Sequence, residues 1–248
     1  MGTIYILWLR QLKRYLRSKA RIIGSLGQPL LFLVALGFGL GPIYQKASGS
    51  SYIQFLAPGV IAMSILFTAM FAGIEVIWDR QFGFLKETLV APISRFKIMT
   101  GRTLGGATVS VLQGIIVLII TILIGFRPSS LILLPVSLLF MCLIGLFFTA
   151  LGTAIASRLE DMQAFPLIMN FIMMPIFFLS GALFPLETSP KAIQLIAKFN
   201  PLSYGVDGLR YTLTSASHLG FVTDIVVLST ITILAFIFGS FMFSRIQI

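Results

Sequence analysis

Of the 248 residues, 57% are hydrophobic and 10% are charged, and 18 Lys and Arg against 8 Asp and Glu give a formal net charge of +10. A soluble domain carries about 25% charged residues, so an ordinary water-soluble enzyme, a disordered tail and a disulfide scaffold are excluded and a polytopic membrane protein remains. At roughly 20 apolar residues per helical span, six spans leave no block of ~100–200 residues for a soluble ATPase domain.

Residues 1–21 read as an amphipathic interfacial helix rather than a span. Tyr5, Trp8, Leu9, Leu12, Tyr15 and Leu16 share one helical face, and Arg10, Lys13, Arg14, Arg17 and Arg21 share the other. No small-x-small cleavage pattern follows, so a cleaved secretory signal is not expected. The first span is expected over 22–40, punctuated by Gly24, Gly27, Gly37 and Gly39, small residues of the kind that let helices approach in lipid. A polar loop is expected over 42–54, and the second span over 55–77. The third falls over 104–125 and the fourth over 131–156, separated by a tight turn at 126–130. The fifth is expected over 164–184, with Pro175 kinking it in mid-span. The sixth is expected over 225–243. Between the last two, residues 185–224 are neither plain loop nor span. Ser189 with Pro190 opens a short helix, Asn200-Pro201 stops it, and a second helix follows over 202–213, both lying at or dipping into the membrane surface.

Six spans put both termini on one side. That side collects thirteen of the basic residues and the other side five. Lys and Arg gather on the cytoplasmic face, so both termini are expected in the cytoplasm of an inner membrane. The positive charge thus reports topology, and nucleic acid is not an expected partner.

The residues that carry chemistry in enzymes are scarce. No phosphate-binding loop G-x-x-x-x-G-K-[ST] and no G-x-S-x-G occur. The single histidine, His218, falls in the external segment, which leaves no intramembrane triad and no multi-histidine metal site. The single cysteine, Cys142, reads as a small buried hydrophobe. No catalytic residue is expected on this chain. Glu75 is the clear intramembrane charge. It either reaches the interface or pairs with Arg80 or Arg102, and the lack of other buried charge argues against a proton- or sodium-driven carrier.

One cytoplasmic stretch is informative: Asp79-Arg-Gln-Phe-Gly-Phe-Leu-Lys-Glu-Thr-Leu-Val-Ala-Pro-Ile-Ser-Arg95. Its pattern fits a short amphipathic helix. Physical reading leaves two roles open, a surface helix that covers the bundle and an aromatic knob that docks on another protein. The stretch resembles the first cytoplasmic loop of permease subunits of ATP-binding-cassette type-2 exporters, above all the daunorubicin-resistance and nodulation-export branches. A second match follows in Phe178-Leu-Ser-Gly-Ala-Leu-Phe-Pro185 and Asn200-Pro-Leu-Ser-Tyr-Gly-Val-Asp-Gly-Leu-Arg210, which resembles that family's carboxy-terminal signature. A departure is Glu187-Thr-Ser-Pro190, where relatives often carry a more apolar stretch.

The resemblance implies an all-α permease domain spanning 1–248, with a connecting helix over 1–21, a coupling-helix loop over 79–95 and external re-entrant helices over 185–224. It assigns ATPase coupling to Arg80, Phe82, Gly83, Phe84, Leu85, Lys86 and Glu87, and an outer gate to Gly181, Pro185, Asn200, Pro201, Tyr204, Asp207 and Arg210. Asp207 and Arg210 are also spaced for a local helix salt bridge. The implied partners are a separate ABC ATPase, a second permease copy in a homodimer, and the lipid bilayer. No cofactor or metal is expected on this chain itself, with ATP and Mg held by the ATPase. The expected cargo is a hydrophobic or amphipathic compound, drug or lipid-like. The alternatives are a polysaccharide or lipid-linked glycan moved by the same machinery and, from another class, an energy-independent channel or intramembrane scaffold.

Overall fold

A computed structural model describes residues 2–48, 51–84, 88, 90 and 93–244. Its described residues form helices joined by short turns: α1 (Gly2–Arg17), α2 (Lys19–Gly39), α3 (Gly41–Ser48), α4 (Tyr52–Phe71), α5 (Ile74–Gln81), α6 (Arg95–Ile124), α7 (Leu134–Ala156), α8 (Ala164–Phe178), α9 (Lys191–Phe199), α10 (Pro201–Thr214) and α11 (Phe221–Ser244). No strand occurs among them. The all-α polytopic reading holds.

Five segments are long and apolar enough to cross a membrane by length and composition: α2, α4 continued through α5, α6, α7 and α11. The fifth expected span, over 164–184, holds α8, which is apolar but has 15 residues. At 1.5 Å per residue it reaches about 22 Å, short of a ~30 Å hydrocarbon core. It stops early because Pro175 weakens its last turn and the chain then reverses at Gly181, whose φ of 75° is open to glycine at no steric cost.

The core lies between α4, α6 and α7, lined by Ile61, Ile65, Ile144 and Phe148. α4 is the most enclosed span, with 78% of its apolar window buried, while α2 and α11 each bury 17%. The glycines of α2 therefore do little inside this chain. Gly37 packs against Ile53, but Gly24, Gly27 and Gly39 face open space.

Three local expectations are corrected. The polar loop over 42–54 contains α3, with Pro42 in its first turn. Ser189 does not cap α9; its hydroxyl donates to the Pro185 carbonyl, 3.0 Å away, and the helix starts at Lys191. The buried face of α1 is Leu7, Gln11 and Tyr15, while Tyr5 and Leu16 stand exposed. That face is set by α6. A Cβ on Gly101 would lie 2.9 Å from the Leu7 Cβ, and one on Gly105 would lie 2.6 Å from the Gln11 Cβ. Two glycines one turn apart thus cut a seat into α6. The Trp8 indole N–H donates to Thr108 at 2.9 Å, and the Tyr15 hydroxyl donates to the Gln113 side chain. These contacts advance together along both chains, so α1 runs parallel to the first half of α6.

Candidate functional site

The first site grows from two spacings. α5 carries Glu75 and Asp79 one turn apart, and α1 carries Arg10 and Arg14 one turn apart, so each pair falls on a single helical face. The two ladders interlock in opposite directions. Arg10 donates through both terminal nitrogens to Asp79, at 2.8 Å to Oδ1 and 3.1 Å to Oδ2, the bidentate geometry that suits a guanidinium. Arg14 stands 3.2 Å from Glu75 and 3.8 Å from Asp79. Arg21, beyond the break at Ser18, reaches Glu75 at 3.0 Å. From α6, Arg102 donates to Asp79 at 2.5 Å. Glu75, Asp79 and Arg102 are each less than 5% exposed. Four guanidiniums therefore close around two carboxylates, and each carboxylate is compensated in a setting where an isolated charge is costly.

The pairing expected for Glu75 is thereby corrected. Its partners are Arg14 and Arg21, Arg102 belongs to Asp79, and Arg80 turns away from both. Arg80 donates to the carbonyls of Ser157 and Leu159, at 2.8 and 3.2 Å, where α7 ends. Last-turn carbonyls lack partners within their own helix, so an arginine there satisfies them. Gln81 reaches the Glu160 carbonyl at 3.2 Å. The root of the loop is thus bolted to α1, to α6 and to the end of α7. Beyond the root, Phe82 is 80% exposed, Gly83 has a φ of 81°, and the Arg10 guanidinium lies 3.7 Å from the Phe84 ring centroid. Leu85, Lys86 and Glu87 lie outside the described residues.

The second site is at the opposite end. α10 is not a surface helix. Leu202, Val206, Leu209 and Leu213 are fully buried, and a Cβ on Gly205 would lie 2.7 Å from Ile144 of α7. Gly208 leaves room in the same way for the Phe140 ring. Two glycines at i, i+3 let α10 dip between α4, α7 and α11, while α9 keeps Leu195, Ile196 and Phe199 exposed. Asn200 governs the junction. Its Oδ1 accepts from the Leu202 amide at 3.0 Å, capping α10, and its Nδ2 donates to the Ile176 carbonyl at 2.6 Å, which ties the cap to the end of α8. Pro201 takes the first helical position, and the Tyr204 hydroxyl donates to the Lys198 carbonyl at 2.7 Å, fastening α9 to α10.

Asp207 and Arg210 form no ion pair with each other, although their spacing allows one. Asp207 accepts from the Ser217 hydroxyl at 3.0 Å and from the amides of His218 and Leu219 at 2.9 and 2.7 Å, so it holds the turn that leads into α11. Arg210 donates to the Gly181 carbonyl at 2.9 Å and lies 4.2 Å from the Phe55 ring centroid. Burial pulls its guanidinium down to about 10, which still leaves it cationic at neutral pH. Between these groups is a cavity of about 230 Å³ lined by Tyr44, Phe55, Pro185, Ser203, Asp207 and Arg210 among others. Glu187 stands 3.0 Å from the His218 ring at its rim.

Of the signature residues, Pro185, Asp207 and Arg210 line this cavity, and Gly181 joins it through its carbonyl, which accepts from Arg210. Asn200, Pro201 and Tyr204 instead build the α9–α10 hinge. Sequence reading missed Asp79, Arg10, Arg14, Arg21 and Arg102 as one cluster. The matching i, i+4 spacings were the available signal. It also missed Tyr44 and Phe55, which carry no motif, and Ser203, which lies within the signature but was not singled out. No group of three or more His, Cys, Asp or Glu side chains able to hold a metal occurs among the described residues.

Residues 3–214 match the ABC-2 type transporter family. The chain is 34% identical over 201 residues to the ycf38 transport permease of Porphyra purpurea, covering 79% of this chain and 68% of that protein. It is 33% identical over 215 residues to nodulation protein J of Rhizobium leguminosarum bv. viciae, covering 83% and 82%. It is 31% identical over 195 residues to nodulation protein J of Bradyrhizobium diazoefficiens, covering 77% and 73%.

Proposed function

The chain belongs to the ABC-2 type transporter family, and on that premise we propose that it is the permease subunit of an ATP-driven exporter for a hydrophobic or amphipathic compound. It resides in an inner membrane with both termini cytoplasmic. It pairs with a second copy of itself and takes its energy from a separate ABC ATPase, which holds the ATP and Mg. The observation that carries this reading is the buried cluster in which Glu75 and Asp79 at the root of the coupling loop are held by Arg10, Arg14, Arg21 and Arg102. A loop that only covered the bundle would not need a charged joint to three helices.

In mechanism, the ATPase presses on the exposed Phe82 and on the loop around Phe84. The cluster makes α1, α5 and α6 respond as one body. At the far end, Asp207 and Arg210 hold the dipping helix α10 closed over the exit. ATP binding drives export by favouring the arrangement in which that closure is released, which requires a contact that differs between the two states. The coupling loop supplies that contact.

The test is reconstitution of the permease with its ATPase in liposomes. Phe82→Ala combined with Phe84→Ala removes cargo-stimulated ATP hydrolysis while the permease remains in the membrane. Stimulation at the wild-type level in that variant would refute the coupling assignment.

A further inference from the structure

We propose that the basic groove on α1 binds the phosphate headgroup of an anionic phospholipid. The groove is lined by Ile6, Leu9, Arg10, Lys13, Arg14 and Arg17 and ends at Ser18, one residue before α2 begins. α2 is the first helix long and apolar enough to cross a membrane. The groove therefore sits where the chain enters the bilayer, at the depth of the headgroups.

Its charge is uncompensated. Arg10, Arg14, Arg21 and Arg102 face only Glu75 and Asp79, so the cluster beneath the groove holds two cations in excess. Lys13 and Arg17 add two more and take part in no ion pair among the described residues. Arg10 and Arg14 keep 27% and 34% of their side chains exposed while bridging to the acids, so both the acids and a ligand in the groove can share them. A phosphodiester offers several oxygens to such forks.

The apolar side chains select a lipid over a soluble anion. Ile6 and Leu9 line the same groove, and Tyr5, Ile6 and Leu16 stand 58%, 64% and 57% exposed along α1. Apolar residues flanking a polybasic row are the composition of helices that lie in an anionic interface. A bound headgroup would complete the charge of the joint that holds the coupling loop, so the inner-leaflet lipid becomes part of that joint. The inference rests on the proposed cytoplasmic placement of α1 only for which leaflet supplies the lipid.

The test is native mass spectrometry of the purified full-length permease in detergent, titrated with phosphatidylglycerol or phosphatidylcholine. Wild-type protein is expected to retain phosphatidylglycerol in preference to phosphatidylcholine. At about fivefold per basic residue near a charged surface, Lys13→Gln with Arg17→Gln is expected to weaken retention about thirtyfold. Lys191→Gln with Lys198→Gln on α9 is expected to leave it unchanged. Should the α1 double variant misfold, Lys13→Gln alone is read, with about a fivefold loss expected.

Equal retention of the two lipids, or undiminished phosphatidylglycerol binding by the α1 variants, overturns the proposal. Displacement by millimolar inorganic phosphate overturns it in favour of a free-anion site. Loss of ATPase association with unchanged lipid retention overturns it in favour of a protein partner. Binding in detergent depends on neither sidedness nor ATPase. Its failure would therefore leave the export reading standing, and failure of that reading would leave the lipid site standing.

Discussion

Where α1, the start of α2, α5 and α6 meet, each oxygen of Glu75 and Asp79 answers a guanidinium. Where α8 and α10 meet, the charged groups answer backbone. Arg210 donates to the Gly181 carbonyl, and Asp207 accepts amides from the turn before α11. The difference separates a joint from a latch. Ion pairs shared among four helices fail together, because removing one member strands another buried charge. Bonds from a charged side chain to backbone can be traded for water one at a time as a segment leaves its seat. The inner end is built to move as a unit, and the outer end is built to open in steps.

The largest expected effect comes from Asp79→Asn. It keeps the shape but leaves Arg102 buried beside a neutral amide, at a cost of about 3–5 kcal/mol. The purified permease should melt well below wild type or fail to accumulate. Adding Arg102→Met should recover most of the loss, because the stranded charge is then gone. Additive losses in the double variant would mean that these two residues do not act as one joint. Gly208→Val comes next. Its side chain collides with the Phe140 ring, and overpacking of this kind costs about 1–3 kcal/mol. The strain should lift α10 alone, raising the reactivity of a cysteine placed at Ser203 with an external thiol reagent while cysteines on α5 stay protected. A comparable rise on α5 would erase the distinction between the two ends.

Asp207→Asn should cost somewhat less, about 1–2 kcal/mol, because an amide oxygen still accepts from part of the 217–219 turn. Faster hydrogen exchange confined to those amides is the expected result. Exchange spreading into α1 or α6 would show that the outer latch is not a separate unit.

The fold was legible because apolar runs of span length need no tertiary context to be recognised, and the dipping helix α10 was marked by Asn200-Pro201. The two sites were legible to different degrees. Glu75 stood out as a charge in an apolar run, but its partners lie on α1 and at the start of α2, 61 and 54 residues earlier for Arg14 and Arg21, and packing against Gly101 and Gly105 brings α1 alongside. The face of α1 was misjudged for the same reason. Hydrophobicity marks the residues that shun water, and in a membrane protein those residues divide between lipid and protein. Tyr5 and Leu16 stay outside, whereas Gln11 goes in because Gly105 leaves room for it. Arg210 beside Asp207 invited a local pair. The geometry instead spends each on a different loop, a choice set by the turn at Gly181 that no local spacing encodes.

The smallest effect tests whether the latch divides further. Tyr204→Phe removes one hydroxyl, the donor to the Lys198 carbonyl, at about 0.5–1.5 kcal/mol. α9 exposes Leu195, Ile196 and Phe199 and is otherwise held by the buried Ala197 and by Gln194, which donates to the Glu187 and Ser189 carbonyls of its own approach, so the lost bond to α10 is felt there first. Global melting should fall little, and exchange protection should drop over 191–199 while α10 keeps its own, since the Asn200 cap and the buried Leu202, Val206 and Leu209 are untouched. If protection of α10 falls in step with α9, the two helices open as one flap. If only α9 loosens, α9 is a cover that leaves first and α10 is the plug. In the inner joint no single hydroxyl has this freedom, because its helices are held by charges that cannot be released one by one.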